Sequence, residues 1–116
     1  MGTSSSNKIL AEVVQSFDSA SLDGTPQLAA TLTFPSRLLR ILNESNVNVL
    51  ISYDGVHAND TVLAGKEVNL YFGALGQAGN FSAAMAAHTN IYVIGAAGMG
   101  NTGSIVFVSY YQPIHP

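Results

Sequence analysis

The stretch RLLRILNESNVNVLISYDGVHANDTVLAGKEVNLYF, residues 37–72, decides the fold. Its centre, residues 47–53, alternates apolar and polar side chains, and this period of two is typical of a strand buried on one face. An Asp-Gly pair at 54–55 predicts a tight turn, because glycine adopts positive φ without strain. Two more short apolar runs, 61–64 and 67–72, complete the stretch. The pattern predicts an antiparallel meander of short strands, and therefore an all-β protein.

Short apolar runs separated by turn residues continue on both sides of this stretch. Glycine, proline, serine and aspartate fill the gaps between them. About eight strands at spacings of roughly ten residues predict an antiparallel β-sandwich, a jelly roll or a small barrel. The runs expected to form strands outside the central stretch are residues 8–17, 27–34, 81–87, 91–94 and 104–111.

The length of the chain predicts one domain. With 116 residues it can enclose one hydrophobic core but not two. We expect residues 1–7, which are small and polar, to form a flexible N-terminal arm that a partner could order. Residues 8–116 are then expected to form a single β-sandwich domain.

Charged side chains are scarce in this sequence. They make up 9% of the residues, against about 25% in an average soluble protein. A free monomer usually carries more charge to stay dispersed, so the composition favours a subunit whose surface is covered by neighbours; a merely neutral monomer is the alternative. The net charge of −3 argues against binding nucleic acid through its phosphates. No apolar run is long enough to span a membrane.

Two predicted strands are apolar on both faces. In residues 104–111, Ile105 and Phe107 alternate with Val106 and Val108, and residues 37–42 are similar. A strand that is apolar on both sides needs cover on each side. In a two-layer sandwich, one face then contacts the core and the other contacts a partner or a covering segment.

Two motifs invite a chemical interpretation that their context does not support. Residues 98–103 spell G-x-G-x-x-G, but a dinucleotide site needs these glycines to open a helix, and here a predicted strand follows. The loop at residues 54–60 contains two carboxylates, a histidine and an asparagine. Calcium needs about six to eight oxygen ligands, so we interpret this loop as a hydrogen-bonded turn.

The histidines give no sign of a catalytic group. His57, His88 and His115 lie far apart in the sequence, and no nucleophile motif accompanies them. The chain has no cysteine, which excludes disulfides and thiolate chemistry. We therefore expect no enzyme activity, no cofactor and no metal ion.

Parts of the chain resemble a family of small virion structural proteins of tailed bacteriophages. The resemblance rests on the arginine-led strand at residue 37, the N-x-S-N corner at 43–46, and the alternating strand that ends in Ser-Tyr-Asp-Gly at 52–55. It also rests on the closing segment IYVIGAAGMGNTGSIVFVSYY, residues 91–111, in which a Gly-Ser pair opens the last strand. Residues 1–35 depart from the shortest members of that family.

The resemblance implies a structural virion component, and among virion roles we favour a capsid decoration or cement protein. It would lie on the capsid exterior after assembly in the host cytoplasm. The implied partners are the major capsid protein and further copies of this chain, as a dimer or trimer, without nucleic acid or membrane. We expect the N-terminal arm to reach a neighbouring subunit. The residues expected at the interface are Leu38, Ile41, Tyr110 and Tyr111.

Two alternatives stay open. A tail-side adaptor or fibre-base subunit could use the same sandwich at a single vertex of the particle. A carbohydrate-binding module for host attachment could instead use Tyr110 and Tyr111 as an aromatic platform, and such a platform would need flanking carboxylates.

Overall fold

The computed structural model describes residues 9–72 and 84–112. These residues form nine strands in two antiparallel sheets, which confirms the predicted all-β sandwich. The predicted arm, residues 1–7, lies outside the described residues. The strands are β1 (Leu10–Ala11), β2 (Gln15–Asp18), β3 (Gln27–Thr31), β4 (Leu38–Asn43), β5 (Val49–Ser52), β6 (Asp60–Val62), β7 (Glu67–Tyr71), β8 (Asn90–Ile94) and β9 (Ser104–Tyr111).

The order of the strands is that of a jelly roll. Sheet A has the order β1-β9-β4-β7, with β2 also paired to β9, and sheet B has the order β3-β8-β5-β6. The pairs β2–β9, β3–β8, β4–β7 and β5–β6 are nested around the turn between β5 and β6. The chain therefore resembles one long hairpin rolled into two layers, which is the jelly-roll arrangement of antiparallel strands.

The meander predicted for residues 37–72 is wrong, because its strands are divided between the two sheets. β4 and β7 lie in sheet A, while β5 and β6 lie in sheet B. Asn43 explains the crossing. Its buried amide donates to the carbonyl oxygens of Val47 at 2.7 Å and Val62 at 3.0 Å, and its oxygen accepts from Ser45. These bonds fix a corner that carries the chain from one sheet to the other.

The strands predicted at residues 8–17, 27–34, 91–94 and 104–111 are confirmed, some with changes at their ends. Residues 104–111 form β9 with the predicted bounds, while the run at 8–17 is divided into β1 and β2, and the run at 27–34 ends as a strand at Thr31. Residues 81–83 lie outside the described residues. The described rest of the strand predicted at 81–87 is not a strand, and Met85 there forms only an isolated bridge with Ser36.

The core lies between the sheets and is filled by alternate residues of each strand. Side chains of β4 and β9 face those of β5 and β8, as the period of two requires. Leu22 and Leu32, from the connecting segments, complete the packing. The buried apolar residues are Leu22, Ala30, Leu32, Leu39, Ile41, Val49, Ile51, Val62, Ile91, Val93, Ile105 and Phe107.

Candidate docking interface

Ile41, one of the four residues expected at the interface, belongs to the core. Its exposed fraction is 0%, so a partner could contact it only by opening the sandwich, and its assignment to a docking surface is wrong. Leu38 lies on the opposite face of β4, where alternate residues are partly exposed. The two residues are an odd number of positions apart, and a strand places such residues on opposite faces.

The outer face of sheet A carries a block of apolar side chains on its two central strands. The cross-strand neighbours are Leu38 with Tyr110 and Leu42 with Val106, and Val108 lies between them. All five are partly exposed. Cross-strand apolar pairs stabilise a sheet and also shield one another from water. This block places Leu38 and Tyr110 side by side, and their role in docking stays a prediction.

One charged side chain, that of Arg40, lies within this apolar block. The guanidinium of Arg40 lies 3.4 Å from the carboxylate of Glu67 on the neighbouring strand β7. Hydrogen bonds from Arg40 to Tyr110 and then to Glu67 raise the pKa of the guanidinium above its ordinary value. Because the pair is open to solvent, it orients the side chains more than it stabilises the fold. The hydroxyl of Tyr110 is thus engaged within its own face.

Tyr111 does not share a face with Tyr110. Its ring stacks on Phe34 with 4.0 Å between the ring centroids and 13° between the planes. Adjacent residues of a strand point to opposite sides, so the two tyrosines do not form a joint platform. Tyr111 instead lies at the N-terminal edge of the sandwich, where Leu10 pairs with it.

A second group of exposed apolar side chains, which was not expected from the sequence, lies on the N-terminal segment and on Phe34 of the stacked pair. We call it the N-terminal edge patch, and it consists of Ile9, Leu10, Val13, Val14 and Phe34. All five are exposed, Val13 to 88% and Val14 to 55%. The consecutive valines interrupt the alternation of the predicted first strand, and that interruption was the available signal. The break between β1 and β2 turns both outward.

A cleft of about 450 Å³ lies beside the N-terminal edge patch. In it, the buried carboxylate of Glu12 accepts hydrogen bonds from the backbone N–H groups of Thr33 at 3.1 Å and Phe34 at 3.0 Å. The side-chain amide of Gln15 bonds to both the N–H and the C=O of Thr31. These two side chains join sheet A to sheet B. They also occupy outward-facing backbone groups at the end of β3 and just after it.

The loop between β5 and β6 is held by its own side chains, in keeping with its interpretation as a hydrogen-bonded turn. Asp54 accepts from the ring of His57 at 2.8 Å and from the backbone N–H groups of Val56 and His57. These bonds, that of the ring first, hold the pKa of the Asp54 carboxyl well below its ordinary range. The hydroxyl of Tyr53 donates to Asp60 at 2.7 Å.

The other residues considered for chemistry lie apart. His57 is exposed in the loop just described, His88 occupies a turn with φ of 69°, and His115 lies outside the described residues. Residues 98–103 form the loop between β8 and β9 and lead into a strand. Within residues 9–72 and 84–112, no cluster of three or more His, Asp or Glu side chains could hold a metal ion. In the same ranges, no helix is long and apolar enough to cross a membrane.

Three kinds of comparison with known proteins address the chain as a whole. It matches no family model, no curated protein and no solved structure. A function must therefore be argued from the residues and their geometry.

Proposed function

We propose that this chain is a structural virion protein of a tailed bacteriophage, a capsid decoration or cement protein that binds the outer surface of the head and stabilises it. In this role it has no enzyme activity. Its partners are the major capsid protein and further copies of itself, and it lies on the capsid exterior.

The observation that carries the proposal is the outer face of sheet A. Leu38, Leu42, Val106, Val108 and Tyr110 form an apolar block on the two central strands, in a chain whose charged residues make up only 9%. Contiguous apolar surface of this kind commonly marks an interaction site. On a capsid, each subunit needs only a modest contact, because an interface of about 1,600 Å² is sufficient for stable association.

The topology adds support by analogy at the level of the fold. Jelly rolls serve as virus capsid domains and as lectin domains. A fold alone does not determine function. The analogy therefore supports the structural role and the carbohydrate-binding alternative equally. The choice between them depends on the surfaces.

The test is binding of the purified chain to heads prepared without it. Val106→Lys places a charge in the apolar block, and we expect it to weaken binding by at least about tenfold, because an unpaired charge in an interface loses its hydration. Leu50→Lys is the matched control, since Leu50 is a partly exposed apolar residue of a central strand on the outer face of sheet B. Equal binding by the two variants would refute the assignment of this face.

The number of copies per particle separates a cement protein from a tail-side adaptor. A cement protein follows the symmetry of the whole shell and is present in numbers on the order of hundreds, while an adaptor follows one vertex, with roughly six to twelve copies. Quantitative mass spectrometry of purified particles provides the count. A number near the lower range would favour the adaptor.

The cleft favours a carbohydrate-binding module as the second candidate. Phe34 and Tyr111 offer stacked rings beside the hydroxyls of Thr31 and Thr33, and such rings can pack on sugars. The nearby carboxylate of Glu12, however, already accepts two backbone N–H groups. A glycan array is the direct test, and absence of binding across it would remove this candidate.

A further inference from the structure

The edge strands of the sandwich differ in how well they are protected from pairing with another chain. Exposed edges normally carry bulges, are short, or are covered. In sheet B, β3 has a bulge after Leu28, and the side chains of Gln15 and Glu12 occupy backbone groups at its last residue and just beyond it. The other edge of sheet B, β6, has only three residues. In sheet A, the edge beside β9 is divided between β1, of two residues, and β2, of four residues, and the side chain of Gln15 in β2 bonds to Thr31 of sheet B. The remaining edge, β7, has five residues, no bulge and, among the residues that the structure describes, no covering strand.

β7 is regular along its whole length. It pairs with β4 in an unbroken register from Leu38 opposite Tyr71 to Leu42 opposite Glu67. Among the residues that the structure describes, no strand pairs with its other edge. It contains no proline and one charged residue, and that charge is already paired with Arg40.

The backbone groups that β7 presents outward can be assigned from its bonds to β4. Asn43 donates to the carbonyl oxygen of Lys66, and Phe72 donates to that of Arg37. Even-numbered residues therefore bond toward β4. In an antiparallel ladder, alternate residues point to opposite edges, so the N–H and C=O groups of Glu67, Asn69 and Tyr71 point outward.

We propose that β7 pairs with β7 of a second copy of this chain, antiparallel, across a two-fold axis at Asn69. In this register Asn69 lies opposite Asn69 of the second copy, and Glu67 lies opposite its Tyr71. Every outward N–H and C=O of the strand then finds a partner. The contact is isologous and closes as a dimer, and sheet A becomes continuous across both copies. This inference does not depend on the proposed virion role.

The side chains agree with this register. Glu67 faces a phenol hydroxyl and not the second Glu67, so no like charges meet. Tyr71, which is 69% exposed, gains cover from the second copy. On the inner side, Val68 and Leu70, which already pack against the core, face one another across the axis and extend it.

The size of the contact sets the conditions under which it can be observed. A joint made by one five-residue strand buries less than the roughly 1,600 Å² of a standard stable interface. The dimer is therefore expected to depend on concentration in solution. Repeated engagement on a larger assembly would strengthen it.

Disulfide trapping tests the register directly, because the chain contains no cysteine. In the proposed dimer, the two residues at position 69 have Cα atoms about 5.5 Å apart, within the range that a disulfide spans. Asn69→Cys should therefore form a covalent dimer under mild oxidation, seen on a non-reducing gel. A mixture of Glu67→Cys and Tyr71→Cys should form a mixed dimer.

Two controls make this result specific. Glu67→Cys alone should not form a dimer, because the two copies of position 67 lie roughly 13 Å apart. Thr61→Cys, on edge strand β6 of sheet B, should not form one either. Cross-linking through Glu67→Cys alone or through Thr61→Cys, or no cross-linking through Asn69→Cys, would overturn the proposal.

A proline variant tests the contact without cross-linking. Asn69→Pro removes an outward N–H and leaves the bonds from β7 to β4 in place, as proline is tolerated on an edge strand. We expect the native chain to show a dimer that grows with concentration in sedimentation velocity, and the variant to remain monomeric with the same circular dichroism. A native chain that stays monomeric, or a variant that still dimerises, would contradict the inference.

Discussion

Gly103 is the residue at which two loops of the sandwich come closest. It has φ of 85°, and a Cβ there would overlap the carbonyl oxygen of Glu44 and lie 2.8 Å from the Cα of Ser45. Its own carbonyl accepts a hydrogen bond from Ser19 at 3.0 Å. The position thus needs glycine for two independent reasons, its backbone conformation and the lack of space.

A pair of glycine variants separates these two reasons. Gly24 has nearly the same φ, 88°, but no atom lies within 4 Å of the place that a Cβ would occupy, so Gly24→Ala should lower the free energy of unfolding by about 1 kcal/mol. Gly103→Ala adds a backbone clash and should lower it by about 3 kcal/mol or more. Urea unfolding of both variants gives the comparison. Equal losses would show that the close approach of Gly103 to Glu44 does not contribute to the free energy of unfolding.

Tyr53 provides a prediction about alkaline pH. Burial, and then the hydrogen bond to Asp60, raise the pKa of its phenol above the ordinary value. A group whose folded-state pKa lies above the unfolded value contributes stability that is fully present below the unfolded pKa, about 10 for tyrosine, and is lost as the pH rises beyond it.

Tyr53→Phe removes this titrating group. At pH 7 the variant should lose about 1 kcal/mol of unfolding free energy, since one hydrogen bond is gone. Above about pH 10 its stability should fall less steeply than that of the native chain. Urea unfolding at a series of pH values measures both effects. Parallel curves for the two proteins would contradict the role assigned to Tyr53.

At the scale of secondary-structure elements, the alternation of apolar and polar residues predicted where strands occur. It did not predict which sheet each strand joins. β9 was predicted to the residue, and β5 and β7 to within a few residues. The meander failed because the corner after β4 depends on a bond from Asn43 to Val62, which is distant in sequence. Leu28 shows the same limit. A bulge after it shifts the register and turns it outward, although a regular strand would place it on the same face as the buried Leu32.

The candidate interface was predictable to a similar extent. Leu38 and Tyr110 lie together on the outer face of sheet A, and the parity of β4 alone would have excluded Ile41. The consecutive valines at 13 and 14 indicate where the N-terminal edge patch lies, but not how it is shaped. Its shape depends on the contact of Glu12 with the backbone of Thr33 and Phe34, and no local pattern encodes such a contact.

Asn43 offers a test of the corner that divides β4 and β5 between the sheets. Its side chain is buried and fully hydrogen-bonded, so Asn43→Ala removes one hydrogen bond each from the carbonyl oxygens of Val47 and Val62 and from the N–H of Ser45. We expect a loss of about 3 kcal/mol or more of unfolding free energy. Asn48 is the matched control, because it is exposed and accepts one bond from Ala64.

In the control, Asn48→Ala should cost about 1 kcal/mol. Urea unfolding monitored by tyrosine fluorescence is suitable for both variants. Similar small losses for the two asparagines would mean that the corner is held by packing and not by the buried amide.

At the scale of the whole molecule, apolar side chains of the described residues are grouped on two surfaces, while others, such as Leu28, Leu50 and Val56, are exposed elsewhere. One is the outer face of sheet A, and the other is the N-terminal edge patch. With so few charged residues, the surface between them relies on neutral polar groups for hydration. Association with a larger structure is the simplest way to cover both surfaces, and the proposed β7 contact adds a way to link neighbouring copies.

The most direct test of the proposed virion role is an averaged electron cryo-microscopy image of phage particles produced in the presence of this chain. The proposed role predicts density for the sandwich repeated over the whole head, with the outer face of sheet A against the shell. Density confined to a single tail vertex, or a particle without the chain on its exterior, would contradict it.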